Sequence, residues 1–276
     1  MNTDELKRLQ NVEKEMLEKL VDICEKRGIK YYLSDGTLLG AVRHKGFIPH
    51  DDDIDITMPY NDYQKFLRIA QKDFGENYFV QTSETDPCWE RAYATIRKEN
   101  TTMMYADSVE YHANQGIWLD IFPMAFVDSK LEWEFYRHLV RLSKYLILDE
   151  YMFSHVEEYR KKLTRLGIKA MKCVYRIPRK YRFELSQHLL KYVHRKKRGK
   201  YITEVWCGLT ELYPSECFEG NPSIVEFEGR LYTAPSNPHL YLRSQYGDTY
   251  MTPIVYERGH DTIILDFDHS YKKYLK

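Results

Sequence analysis

The chain has no apolar run approaching the roughly 18 residues that a membrane-crossing helix needs, and its first residues, MNTDELKRLQNVEKEM, are charged rather than apolar. No transmembrane helix and no secretory leader are therefore expected, and a cytoplasmic protein is. The five cysteines, at 24, 88, 173, 207 and 217, form no CxxC pair and are odd in number. That spacing fits reduced thiols rather than a disulfide framework; a structural zinc held by Cys207 and Cys217 is the remaining alternative. Internal repeats and low-complexity tracts are missing too. Net charge is also lacking, because 41 basic side chains offset 41 acidic ones.

What is present is an ordinary globular composition, 43% hydrophobic and 30% charged, with 24 tyrosines that lift the aromatic share to 14%. A length of 276 residues allows one large domain or two small ones. The charge balance hides an asymmetry. Residues 159–200 carry sixteen Lys and Arg against one acid, Glu184, leaving +15 there and −15 elsewhere. Leu163, Leu166, Ile168, Met171, Val174, Tyr175 and Ile177 are interleaved with those cations. The pairing predicts peripheral contact with an anionic membrane, on the inner face for a cytoplasmic protein, or with a polyanionic acceptor. No base-reading motif accompanies it, so no nucleic acid is expected.

Leu6, Leu9, Met16, Leu20 and Cys24 recur at helical spacing, which predicts an amphipathic helix over 3–27 stopped by Gly28. Strands are expected at 29–33, 54–58, 78–81, 91–97, 102–105 and 116–122. A short helix is expected at 37–43 and another at 62–72, capped by Asn61 or Asp62. Helical patterning then runs from about 131 to 192, and the C-terminal part is mixed, with strands at 223–227 and 262–266. The order predicts an α+β chain: a catalytic core over 1–128 built on a mixed sheet, a basic helical insertion over 129–200, and a C-terminal part, 201–276, packing on the core.

The sharpest segment is GTLLGAVRHKGFIPHDDDIDI, residues 36–56. Side chains alternate faces along a strand, so Asp51, Asp53 and Asp55 share one face if the strand reaches that far, with Ile54, Ile56 and Met58 turned to a core. Asp52 has the wrong parity and belongs to the strand mouth or loop. Carboxylates so close repel and resist ionisation unless a cation lies among them. A divalent ion, Mg²⁺ or Mn²⁺, removes that penalty and binds phosphate oxygens as well. A lone acid, Asp120, sits in the apolar run GIWLDIFP, where a buried unpaired carboxylate is costly and calls for a metal or a base. Gly36-Thr37 is a small residue and a hydroxyl residue ahead of the acids, suited to close approach by phosphate. Arg43, Lys45 and Arg97 are the basic candidates for donor phosphates. His44 and His50 flank the loop, each either a general base or simply exposed.

These motifs, with Tyr246-Gly247-Asp248 near the end, resemble the LicD family over roughly residues 20–255, strongly in the first half and thinly between 130 and 200. The resemblance implies a polymerase β-like nucleotidyltransferase core. It matches Gly36-Thr37 to the phosphate turn, Asp53 and Asp55 to the metal-binding DxD pair, Asp120 to the third acid and Asp51 to a further acid of the related fukutin-related motif. Where the family more often carries Trp, this chain has His50. The resemblance further implies phosphocholine transfer from CDP-choline to a sugar hydroxyl of a teichoic acid, lipopolysaccharide or lipid-linked glycan, with release of CMP. Another CDP-activated alcohol phosphate, ribitol or glycerol, and a DxD glycosyltransferase are the alternatives.

Overall fold

The computed structural model describes residues 1–105, 109–148, 165–206, 208–253 and 263–275. Helix α1 spans Thr3–Arg27, as its apolar stripe predicts. Asn2 and Glu5 close a reciprocal capping box, the Asn2 side chain accepting from the Glu5 amide at 2.9 Å and Glu5 accepting from the Asn2 amide at 2.7 Å. Gly28 ends the helix in the left-handed region at φ 61°. The inner stripe is fully buried at Leu9, Met16, Leu17 and Leu20, each contributing about 1.5–3 kcal/mol of apolar burial.

A short strand β1 (Tyr32–Leu33) leads into α2 (Asp35–His44), and β2 (Asp55–Pro59) into α3 (Tyr60–Phe74). Neither Asn61 nor Asp62 caps α3: Pro59 occupies the cap without a side-chain bond, its fixed φ steering the chain straight from strand to helix. Next come β3 (Tyr78–Gln81), β4 (Ala94–Lys98), β5 (Thr102–Tyr105) and β6 (Trp118–Val127). Helices α4 (Lys130–Ile147), α5 (Arg165–Tyr175) and α6 (Arg179–Val193) follow, then β7 (Tyr201–Glu204), β8 (Tyr213–Pro214), the hairpin β9 (Ser223–Phe227) and β10 (Arg230–Ala234), α7 (Pro238–Tyr246) and β11 (Ile263–Asp266).

The main sheet is mixed and seven-stranded, in the order β1-β2-β6-β4-β3, with β7 joining the far half of β6 and β8 joining β7. Its β2–β6 pair is parallel and sets Asp55 opposite Asp120. On the other side of β6, antiparallel β4 sets Thr95 opposite Asp120. The long β6 thus holds Asp120 between Asp55 of β2 and Thr95 of β4. The largest core cluster joins α1, α2, α3 and the sheet to C-terminal residues, among them Tyr213, Phe227, Tyr232 and Tyr241. A smaller one lies beneath α4 and α6, around Tyr136, Val140, Leu190 and Val193.

The basic stretch falls only partly on described residues. Residues 149–164 lie outside them, including Arg160, Lys161, Lys162 and Leu163. Among the described residues no helix is long and apolar enough to cross a membrane. Cys217 is buried and its thiol is pushed up to about 12 by that burial. Cys207, its proposed zinc partner, lies outside the described residues.

Candidate functional site

A cavity of about 780 Å³ opens over the ends of β2, β4 and β6, and Asp51, Asp53, Asp55 and Asp120 all line it. They arrive by two routes. Asp55 and Asp120 are neighbours across the parallel ladder. Asp51 and Asp53 come from the loop before β2, since the strand starts only at Asp55. The alternation expected along 51–55 therefore does not carry them there; loop geometry does. The Asp51 amide donates to the Ile48 carbonyl at 2.9 Å, and Gln10 of α1 donates to the Asp51 carbonyl at 2.9 Å. Asp52 turns inward and is buried, 6% exposed.

Crowded carboxylates leave an electrostatic signature. Burial raises Asp55 well above the usual carboxylate range, and the charges of Asp53, Asp35, Asp120 and Asp51 add to it. Burial also raises Asp120, opposed by a hydrogen bond from Thr95 and by the cations Arg97 and Arg91. Thr95 Oγ1 donates to Asp120 Oδ1 at 2.5 Å, and the Tyr93 hydroxyl donates to Oδ2 at 3.4 Å. Among the described residues no group of three acids, histidines or cysteines closes into a set that would hold a metal ion. The four acids line one cavity without closing into such a set. As donors they are all hard carboxylate oxygens, the type that suits Mg²⁺ or Mn²⁺, and a cation among them would lower the repulsion on Asp55.

Glycine 36 lines the cavity within the first turn of α2. A Cβ there would stand 3.0 Å from Asp51 Oδ2, so the missing side chain is what lets that acid approach. Thr37 behaves otherwise than expected of a phosphate ligand. It is 2% exposed, and its hydroxyl accepts the Asp55 amide at 2.8 Å; it ties α2 to the start of β2 and so positions Asp55.

The basic candidates divide. Arg97 lines the cavity, 6% exposed, donating to Gln81 Oε1 at 2.7 Å and to the Gly116 carbonyl at 2.9 Å. Its guanidinium lies 5.2 Å from the Trp89 ring centre and 5.1 Å from that of Trp118. Arg43 and Lys45 do not line the cavity. Arg43 donates to the Tyr250 carbonyl at 3.1 Å and to the His44 ring at 2.8 Å, while Lys45 pairs with Glu226 at 3.3 Å. Sequence position set both between the glycine and the acids, but α2 carries Arg43 about 10 Å along its axis from Gly36. His44 and His50 likewise stand outside the lining.

Several lining groups have no counterpart among the sequence candidates. Arg91 donates to the Tyr93 hydroxyl at 2.9 Å and lies 5.0 Å from the Trp89 ring. The alternation Arg91, Tyr93, Thr95, Arg97 leading into β4 was a readable signal for this whole wall. On the opposite side, Asp35 receives a hydrogen bond from Gln245 of α7. Beside it Glu204 is fully buried and held well above the carboxylate range by burial and then by the charge of Asp35, and it accepts the Tyr241 hydroxyl at 2.9 Å. Asp35 is raised as well, chiefly by burial. Glu13 of α1 is also fully buried and raised, by burial first and then by Asp53, Asp52 and Asp51. It occupies the apolar stripe between Leu9 and Met16, an anomaly visible in the sequence. Tyr246 of the Tyr-Gly-Asp motif lines the cavity, whereas Asp248 points to solvent and pairs with Arg243 at 3.1 Å.

Residues 28–157 match the family model of the LicD/FKTN/FKRP nucleotidyltransferase domain. Over 62 residues, 22% of this chain and 23% of the relative, the chain is 48% identical to the lipopolysaccharide cholinephosphotransferase LicD of Haemophilus influenzae. It is 31% identical over 145 residues to an uncharacterized protein of Rickettsia prowazekii, 52% of this chain and 48% of that one. To human ribitol 5-phosphate transferase FKRP it is 25% identical over 134 residues, 49% of this chain and 25% of the relative. The matches thus span about half or less of these relatives' lengths.

Proposed function

We propose that the LicD-family domain over residues 28–157 makes this chain a phosphotransferase that moves phosphocholine from CDP-choline to a glycan hydroxyl, releasing CMP. Its core is read as a nucleotidyltransferase fold. The observation that carries the reading is the apposition of Asp55 and Asp120 on neighbouring parallel strands, with Asp51 and Asp53 over the same cavity. Phosphoryl transfer needs little covalent help from the protein; it needs positioning and charge neutralisation.

In this reading Asp53 and Asp55, with Asp51 and Asp120, hold Mg²⁺ or Mn²⁺. The bound ion would offset charge on the phosphoryl group and orient the attacking oxygen. The acceptor hydroxyl attacks the phosphocholine phosphorus, the bond to CMP oxygen breaks, and the hydroxyl proton passes to the carboxylate of Asp120. Thr95 and Tyr93 fix the direction its oxygens face. Arg91 and Arg97 offset the donor's phosphates.

The cavity's lining favours choline over a neutral polyol as the carried alcohol. The rings of Trp89, Tyr93 and Trp118 already carry Arg91 or Arg97, which suits an anionic group. Trp206 and Tyr246 also line the cavity, as do the acids Asp35 and Glu211, and among the described residues no cation lies over either ring. Aromatic faces beside carboxylates attract a quaternary ammonium.

Purified protein given Mg²⁺, a glycan acceptor and CDP-choline, CDP-ribitol, CDP-glycerol or sugar nucleotides in turn is the test. CMP release with CDP-choline is expected. UDP or GDP release from a sugar nucleotide would mean a glycosyltransferase, and preference for CDP-ribitol or CDP-glycerol would reassign the alcohol.

A further inference from the structure

Helices α4 and α6 carry the same exposed pattern. On α4 it is Leu131, Phe135 and Leu142, exposed by 83%, 50% and 47%; on α6 it is Tyr181, Leu185 and Tyr192, exposed by 59%, 50% and 44%. Both sets fall at i, i+4 and i+11, and both have an exposed histidine at i+7, His138 and His188. Those offsets describe one face of a helix. The opposite faces are already used, packing Tyr136 and Val140 against Leu190 and Val193.

The two helices run antiparallel. Arg182 near the start of α6 donates to the Leu146 carbonyl at the end of α4 at 2.7 Å, and Lys196 just beyond α6 pairs with Glu132 at the start of α4 at 2.6 Å. Across the seam Phe135 meets Tyr192 edge-on, ring centres 6.4 Å apart. The stripes are thus neighbours and form one apolar strip roughly 16 Å long. Its margin is mainly cationic, with exposed Lys130, Arg141, Lys180 and Lys191 against one exposed acid on α6, Glu184, and with Arg195 stacked on Tyr192 at 3.7 Å. The acids Glu132 and Glu134 are engaged with Lys196 and Arg137.

We propose that this α4/α6 face lies on an anionic bilayer surface, the six apolar side chains in the interfacial layer and the marginal cations on lipid phosphates. Charge complementarity selects the occupant. A second copy related by a two-fold axis would bring cations against cations, and a nucleic acid would leave the apolar strip unsatisfied. An anionic bilayer satisfies both the strip and its margin. The proposal rests on the phosphotransferase reading only in giving that surface a use, presentation of a lipid-linked acceptor.

The experiment is co-sedimentation of the full chain with neutral phosphatidylcholine vesicles and with vesicles containing phosphatidylglycerol, at low and physiological salt. Binding to the anionic vesicles is expected, weaker in salt. Each of Lys180→Gln and Lys191→Gln should weaken it about fivefold, and Leu131→Ser with Leu185→Ser by at least about tenfold. A Leu185→Trp variant should show blue-shifted emission on anionic vesicles. No binding at low salt, binding indifferent to both sets of substitutions, or a dimer that the Leu→Ser pair dissociates would each overturn the proposal. CMP release with a water-soluble acceptor should be the same in all these variants. If no variant and no wild-type protein releases CMP, the phosphotransferase reading fails while the vesicle result stands.

Discussion

Asp55 and Asp120 face each other across a parallel strand pair, and each is held above its ordinary proton affinity by burial, Asp55 further by the negative charge around it. The two are brought together from positions 65 residues apart in the chain. A hydrogen bond to Thr37 fixes the backbone of one, and hydrogen bonds from Thr95 and Tyr93 fix the side chain of the other.

Asp55→Asn and Asp53→Asn should each lower the rate of CMP release by about 10²-fold or more, the scale of losing one electrostatic element of a transition-state site. The fold should gain rather than lose. An acid raised in the folded state binds more protons there than in the unfolded chain, so its contribution to stability falls as pH rises through the carboxylate range. Removing Asp55 removes that loss. Thermal melts without metal at neutral pH should place Asp55→Asn at or above wild type; a clear drop, or activity above half of wild type, would contradict this.

Arg43→Ala should leave the KM for the CDP donor unchanged within about twofold, since the residue is committed to Tyr250 and His44 away from the cavity. Arg91→Ala should raise that KM by about tenfold or more, the worth of a charge-assisted hydrogen bond to phosphate. Steady-state kinetics with varied CDP-choline decides, and the reverse order would return the phosphate site to α2.

Gly36→Ala and Gly40→Ala should separate function from stability. At Gly36 the new methyl meets the end of a side chain, Asp51 Oδ2, at 3.0 Å; at Gly40 it meets the Gly46 carbonyl oxygen at 2.5 Å and the Ile48 amide at 3.2 Å. Asp51 can shift by a few tenths of an ångström, so Gly36→Ala should fold normally and turn over slowly. Backbone cannot yield as cheaply, so Gly40→Ala should cost about 1–3 kcal/mol in denaturant unfolding. Equal melting behaviour of the two would refute the distinction.

His194 supplies an acid-sensitive joint. Buried, stacked on Tyr60 at 4.0 Å and hydrogen-bonded to the Met124 carbonyl, it is pushed down by burial from 6.5 to about 4. Its neutral form belongs to the fold, so its contribution is whole above pH 6.5 and is lost as pH falls toward 4. The loss amounts to about 3 kcal/mol. The unfolding free energy of wild type should fall by that much more over this window than that of His194→Phe, and parallel curves would rule it out.

Local signals were legible where a rule acts within one segment. The stripe and Gly28 bounded α1, and the apolar residues Ile54, Ile56 and Met58 located β2 to within a residue. Asp120 stood out because an apolar run holds a lone acid only at a cost that some partner must offset. Legibility ended where spatial neighbours come from distant segments or where a helix intervenes. Nothing near Asp35 announces Glu204, Tyr241 and Gln245, which reach it from the C-terminal part. Arg43 lies close to the acids in sequence and is carried off by α2. Glu13 is visible in the sequence, but one acid on an apolar stripe is easily counted as an edge residue.

If the cavity transfers a phosphoryl group as proposed, the fixing of Arg97 has a consequence for the time course of that reaction. Two hydrogen bonds and two indole rings hold its guanidinium in one place beside Asp120. A mobile surface cation, or water in its place, would have to reorient whenever charge shifts on the phosphoryl group, adding reorganisation energy to every turnover. Arg97 would make that rearrangement once, as the chain folds, with its dipolar surroundings in place before any substrate arrives.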